Sequence, residues 1–163
     1  MYTATTDQIA SVITSQELLA HWQGHRKLTR KLIEAFPEKE FFEYSIGGMR
    51  PFAAMIKELL AIAVPGIREI VRGATEQLDE DLKEVNSKAK VLSLWDKSTE
   101  ELNNYWSQLS DERFHETILA FGKYEGTVYS SILYFIDNEI HHRGQAYVYL
   151  RSLGIEPPAF WDR

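Results

Sequence analysis

Apolar positions recur along this chain with the spacing of helices. Leu18, Trp22, His25, Thr29, Leu32 and Phe36 step by four and three residues, which puts them on one stripe of an amphipathic helix. Ser15 is available as its N-cap, and Pro37 closes it by pushing the preceding residue out of the helical region. Residues 38–48 read as a connection, broken by Gly47-Gly48. A second helix starts near Pro51, a residue tolerated in a first turn, and buries Phe52, Met55, Ile56, Leu59 and Ile62. Pro65-Gly66 predicts a kink or a break, because proline has no amide to donate and clashes with the carbonyl four residues back. Ile67, Ile70 and Val71 continue beyond it to Gly73.

Residues 73–90 are polar and charged and read as a solvated linker. A third helix spans about 89–109, with Val91, Leu94, Trp95, Leu102, Tyr105 and Trp106 as its stripe. Residues 110–126 form a second long connection. Thr127 caps a fourth helix that reaches Ser152, and Gly154 with Pro157-Pro158 ends the helical region. No stretch alternates convincingly as a strand. The expected fold is all-α, a four-helix bundle with long connections, forming one domain over residues 1–163.

Composition narrows the chemistry. The chain has no cysteine, which excludes thiol nucleophiles, disulfides, iron–sulfur clusters and thiolate zinc sites. Any metal would need His, Glu, Asp, Asn or water. A net charge of −6 argues against nucleic acid as a partner, since that binding depends on Lys and Arg neutralising phosphates. No apolar run reaches the ~18–20 residues of a membrane span. The opening Met1–Asp7 lacks the basic and apolar regions of a signal peptide, so a cytoplasmic location is expected.

Five histidines are present: His21, His25, His115, His141 and His142. Asn138 and His142 are four apart, on a face that Phe135 and Ala146 extend and that therefore points inward. A polar pair on such a face needs hydrogen-bond partners or a ligand, and a satisfied His–Asn pair is the commoner explanation. Glu58 has Ala54, Met55, Ala61 and Ile62 as one-turn neighbours, so it lies on or beside an apolar face, and reads as a boundary residue with its head in water. His21 and His25 have metal-compatible spacing but read as core-edge residues. Glu-x-x-His occurs at Glu112 to His115 and at Glu139 to His142; a di-iron bundle needs that pair on two core helices, and Glu112 and His115 fall in a connection. Arg26-Lys27 and Arg30-Lys31 read as a solvated basic face. The G-x-S-x-G, G-x-x-x-x-G-K, G-x-G-x-x-G and H-E-x-x-H templates are absent.

The run Asn138-Glu139-Ile140-His141-His142-Arg143-Gly144-Gln145, followed by Tyr149-Leu150-Arg151, Leu153-Gly154-Ile155 and Pro157-Pro158, closely resembles the DinB family. That family carries an H-x-x-x-H-R-G-Q signature and a Y-L-R-x-L-G-I-x-P-P tail. The resemblance implies a four-helix bundle with a long crossing connection, often a homodimer. It also implies a divalent metal held by three histidines, one from the second helix and two from the last. Here Glu58 falls at the second-helix position and Asn138 at the first position of the last helix, while His142 keeps the third. Two readings follow. Either Glu58, Asn138 and His142 hold a metal such as zinc or nickel with added waters, or the metal is lost and Glu58 pairs with His142 while Asn138 completes the network. The second is preferred, because two of three strong ligands are replaced.

The wider superfamily includes bacillithiol- and mycothiol-dependent enzymes, which implies a thiol-transferase or hydrolase-like reaction on a small molecule. A low-molecular-weight thiol would then be cosubstrate, with His142 and Glu58 as the catalytic pair. The alternative is a non-catalytic, stress-associated homodimer that binds a small molecule in a degenerate metal site. Three finer expectations follow from the last helix. His141 points about 100° away from the site face. Arg143 clamps the helix in register through a carboxylate on a neighbouring helix or loop, or through backbone carbonyls at the end of a helix. Gly144 marks a close helix–helix approach.

Overall fold

All four long helices form, and their caps account for their ends. The computed structural model describes residues 12–83 and 85–163, so Met1–Asp7, and Glu84 in the charged linker, lie outside the described residues. Helix α1 spans Ser15–Ala35, and its N-cap is Thr14, one residue before the one expected. Glu17 decides this. Its backbone N–H donates to Thr14 Oγ1 at 3.1 Å while its carboxylate accepts from the Thr14 N–H at 2.8 Å, a reciprocal capping box. Ser15 instead accepts from the Trp106 indole N–H at 3.0 Å. Every residue of the expected α1 stripe is buried.

The connection after α1 contains a short helix, α2 (Glu38–Glu43), which sequence periodicity did not reveal. It lays Phe41 against Phe36 and Phe52, with ring centroids 6.1 and 5.6 Å away. Helix α3 runs over Phe52–Arg72 and ends at Gly73, whose φ of 65° is the left-handed cap that glycine adopts freely. Pro65 does not break it. Ala61, Ile62, Ala63, Val64, Ile67 and Ile70 are all buried on either side, and burial of that run outweighs the ~3 kcal/mol cost of an internal proline. Gly66 admits the Phe135 ring, since a Cβ there would lie only 2.5 Å from it.

Helix α4 spans Lys88–Trp106 and starts at Ser87, whose hydroxyl accepts from the Lys90 N–H at 3.3 Å. Helix α5 spans Val128–Ser152, and Thr127 caps it by accepting from the Ser130 N–H at 3.1 Å. Between them lies a departure from the expected all-helical chain. After a 3₁₀ turn, Asp111–His115, strands β1 (Thr117–Ala120) and β2 (Tyr124–Thr127) pair antiparallel from Thr117↔Thr127 to Ala120↔Tyr124. Four-residue strands are too short to display alternation. The turn is anchored from α3: buried Glu69 accepts the Phe121 N–H at 2.9 Å with one oxygen and the Glu76 N–H at 2.9 Å with the other.

Helix α1 packs against α4 and α5, and α3 packs against the same two. The first two long helices are therefore diagonal partners, and the chain crosses a bundle end between α1 and α3 and again between α4 and α5. The connections over 36–51 and 107–127 make those crossings, whereas the linker over 73–87 joins two helices that pack side by side. The result is an all-α four-helix bundle with one small hairpin. Among the described residues, no helix is long and apolar enough to cross a membrane.

Candidate functional site

Glu58, Asn138 and His142 converge between α3 and α5. Glu58 Oε1 accepts from Asn138 Nδ2 at 3.0 Å and lies 3.0 Å from His142 Nε2, while Glu58 Oε2 takes the guanidinium of Arg50. The pairing follows from the helices: Asn138 and His142 are one turn apart on the inward face of α5, and Glu58 faces them across the α3–α5 contact. Arg50 precedes α3, and its carbonyl accepts the Tyr149 hydroxyl at 2.9 Å, so the Tyr149-Leu150-Arg151 tail steadies the loop that carries it. The Glu58 side chain is 14% exposed and that of His142 7%, so Glu58 is the edge of the triad that reaches solvent.

The protonation states follow from these contacts. Burial opposes ionisation of Glu58, but hydrogen bonds from Arg50, His142 and Asn138 outweigh it and bring its pKa down to about 2. Burial also disfavours a charged His142 and lowers its pKa; the Glu58 carboxylate pulls the other way, and Arg50 and His141 add to the lowering. His142 is thus a neutral imidazole that donates its Nε2–H to Glu58. Its Nδ1 is buried without a hydrogen-bond partner.

That last atom tests the metal expectation. A histidine that ligates through one nitrogen almost always donates the other ring N–H to an acceptor, and His142 Nδ1 has none. The Arg50 guanidinium already supplies positive charge to Glu58, where a divalent ion would have to sit beside it. Among the described residues no group of three or more His, Cys, Asp or Glu is placed to hold a metal ion, so the Glu58 cluster would have to use the Asn138 amide, a weaker donor than imidazole, as its third ligand. The residues present do not fit the group that the family signature implies.

Glu58 also forms part of the wall of a cavity of about 380 Å³, within the range of small-molecule sites. Its floor is apolar: Ile62, Leu78, Phe121 and Phe135. Its upper walls carry Glu80, Glu125, Tyr124 and Tyr134, with Ser130 and Ser131 from the first turn of α5. Among the described residues, no lysine, arginine or histidine lines it. The sequence does not reveal this chamber, because the hairpin that supplies Ala120, Phe121, Tyr124 and Glu125 to its lining has strands too short to show alternation.

A second polar cluster, between α1, α4 and α5, was also missed. Glu139 is 1% exposed and accepts from Thr29 Oγ1 at 2.6 Å and from the Trp22 indole N–H at 3.2 Å. Burial raises its pKa, against the pull of Arg26, Thr29, Arg143 and Trp22. Arg26 is 1% exposed, not part of a solvated face. Its guanidinium lies 4.1 Å over the Trp95 ring and donates to Thr99 Oγ1 at 2.9 Å and to Ser98 Oγ. A periodicity count treats arginine as polar and outward, whereas its planar cation stacks on tryptophan. The signal was the position of Arg26 one turn from both Trp22 and Thr29.

Arg143 reaches α1, donating to the His25 carbonyl at 3.2 Å and to His25 Nδ1 at 2.7 Å, a mid-helix carbonyl and a ring nitrogen in place of the expected carboxylate or helix-end carbonyl. His141 is exposed and lies 2.7 Å from Gln145 Nε2, away from Glu58. His25 is buried and His21 exposed, their Nε2 atoms 3.1 Å apart. Glu112 and His115 are exposed in the 3₁₀ turn. Gly144 does not mark a close approach: a Cβ there would meet nothing within 4 Å.

Two solved structures share this architecture. A DinB-like protein from Bacillus cereus ATCC 10987 superposes with a TM-score of 0.71 at 16% identity, covering 88% of this chain and 95% of its own. A DinB-like protein from Bacillus subtilis gives 0.68 at 20% identity, covering 90% and 99%. At these identities the likeness concerns the fold. No curated protein matches the chain. The sequence model of the DinB family matches residues 1–162, a span that takes in the capped first helix, the Glu58–Asn138–His142 cluster and the Arg143 clamp alike. The chain belongs to the DinB family.

Proposed function

We propose that this protein binds a small organic cation in the chamber that Glu58 helps to wall, with the ammonium group at the carboxylates and the apolar body on Phe121, Phe135 and Ile62. One observation carries the reading. Glu58, Glu80 and Glu125 line a cavity that, among the described residues, has no cationic side chain in its lining, beside aromatic and aliphatic groups. Arg50, on the outer side, neutralises part of this charge through Glu58 and lies 3.9 Å from Glu80, and the carboxylates still outnumber it. Asn138 and His142 fix Glu58 in one orientation and keep it ionised, a preorganisation that lowers the cost of binding.

This choice favours binding over catalysis. A general base must present a free lone pair to the substrate. The Nε2 of His142 is turned to Glu58 and its Nδ1 is buried. A thiol cosubstrate needs positive charge to become a thiolate, and these walls are acidic.

Isothermal titration with phenethylamine, and with phenethyl alcohol as the uncharged control, tests the proposal. The amine binds, the alcohol binds at least tenfold more weakly, and Glu58→Gln abolishes the difference. Equal affinity for the two compounds, or none for either, refutes it. Elemental analysis of protein purified without chelators or a His tag belongs beside it, since one divalent ion per chain would overturn the metal-free description. Light scattering of the same preparation reads out the homodimer that the family resemblance implies.

A further inference from the structure

On the far side of α5 from Glu58, a second cavity of about 420 Å³ opens between α1, α5 and the C-terminal tail. We propose that it is a binding site for a small organic oxyanion, a carboxylate or phosphate head on an apolar body, held by Arg163, His21 and His25.

The argument is one of proton placement. Arg143 Nη2 donates to His25 Nδ1 at 2.7 Å, so that nitrogen carries the lone pair. Neutral His25 therefore has its proton on Nε2. That Nε2–H has His21 Nε2 at 3.1 Å and Arg163 Nη1 at 3.4 Å. The approach of Arg163 is donor to donor, and neither group satisfies the other. Arg163 makes no ion pair among the described residues. Among the described residues the carboxylate paired with Arg143 is Glu139, 4.0 Å away within its own helix, buried and already accepting from Trp22 and Thr29.

The surroundings agree. Among the described residues the cavity has two arginines and two histidines and no aspartate or glutamate in its lining, on a chain whose net charge is −6. Burial is the main cause that depresses the His25 pKa to about 3, and the positive charges of Arg143 and Arg163, with His21, add to it. The tail is tied in place: Lys31 Nζ holds the Asp162 carboxylate at 2.6 Å and its carbonyl at 3.0 Å. Gly24 lets Arg163 settle on α1, where a Cβ would come within 3.2 Å of the Arg163 side chain. On α5, Gly144 leaves open the space that a side chain would occupy, and Ile140 and Phe160 offer apolar surface beside the cations. A head group there would accept from Arg163 and would take the Nε2–H of His25 from His21 Nε2, which accepts it at 3.1 Å, leaving His21 to turn its own N–H toward the ligand.

Titration calorimetry with benzoate and with phenyl phosphate tests this and separates the two head groups. At least one of them binds at millimolar concentration or better. Arg163→Gln weakens that binding about tenfold, the loss of one charged hydrogen-bonding partner, and so does Gly144→Leu, which fills the cavity. Lys97→Gln, an equal change of charge on the exposed face of α4, leaves it unchanged. Melting temperatures of the three variants establish that they fold. Absence of binding by both probes overturns the proposal. So does binding that survives Arg163→Gln and Gly144→Leu, or that falls equally in Lys97→Gln.

Discussion

Replacing Gly66 by alanine pits the helix against its packing. Glycine inside a helix costs ~1 kcal/mol relative to alanine, so backbone preference alone predicts a more stable protein. The added methyl, however, would lie 2.5 and 2.6 Å from two atoms of the Phe135 ring and 3.4 Å from Phe121. Carbon atoms sit at about 3.5–4.0 Å in contact, so the ring would have to retreat by roughly 1 Å. It has little room. Phe135 is 4% exposed and is backed by Trp22 and Phe121, with ring centroids 6.4 and 6.3 Å away. Overpacking of this kind costs ~1–3 kcal/mol, so after the ~1 kcal/mol helix gain the net is a loss of up to about 2 kcal/mol, which lowers Tm by up to roughly 8 °C in a chain of this size. Gly144→Ala is the matched control, because its methyl meets nothing within 4 Å. It gains the same ~1 kcal/mol with no clash and raises Tm by about 2–4 °C. Thermal unfolding followed by circular dichroism reads both. Phe135→Leu in the Gly66→Ala background makes the coupling explicit, since the shorter side chain relieves the clash and the double-mutant loss is smaller than the sum. If Gly66→Ala stabilises as much as Gly144→Ala, the close α3–α5 approach is not there and the reasoning fails.

Other expectations concern charge. His25 has a folded-state pKa near 3 against an ordinary 6.5, so the unfolded chain binds the extra proton and stability falls as pH drops from about 6.5 toward 3. Denaturant titrations should lose ~3 kcal/mol between about pH 7 and pH 4 from this residue, and His25→Gln should flatten that slope. Glu58, lowered to about 2, contributes stability that is full above about pH 4.5 and fades as pH falls toward 2; Glu58→Gln should remove that lower portion of the curve while leaving the His25 portion intact. Arg143→Lys should lower Tm, because an ammonium cannot serve the His25 carbonyl and imidazole together, and unchanged stability would show that the clamp is not structural. Glu139→Leu should cost ~3–5 kcal/mol by leaving Arg26 and Arg143 as uncompensated buried cations, and a neutral result in urea unfolding would mean that the buried carboxylate contributes nothing to the interlock.

What periodicity could read was the set of surfaces that bury carbon. The α1 stripe from Leu18 to Phe36, and the α3 positions from Phe52 to Ile62, are all buried as their spacing required. What it could not read was polarity turned inward. Arg26, Glu139 and Glu69 are buried because specific partners sit on other helices or on the hairpin turn, and no count along one helix contains those partners. The hairpin was hidden for a local reason: Phe121 takes a φ of 53°, a conformation that residue type does not announce for a phenylalanine. The meeting of Glu58 with Asn138 and His142 was legible only through the four-residue spacing on α5 and the register of a family signature, and the chamber beside them required the hairpin.

The diagonal placement of α1 and α3 has a consequence for the order in which the molecule can assemble. Trp22 and Thr29 find their carboxylate on Glu139, more than a hundred residues later in the chain. As the polypeptide emerges from the ribosome, the first helix meets its neighbours last. Until α4 and α5 are made, its tryptophan and Arg26 have no surface to close upon. Its natural early partner, α3, is not one it packs against in the finished bundle. Contacts of such long separation slow folding, because the intervening chain must be closed before they return any stabilisation. A chain truncated before Val128 therefore strands an amphipathic α1 with a buried-type arginine on its apolar face, which makes early termination products candidates for chaperone capture rather than partly folded bundles.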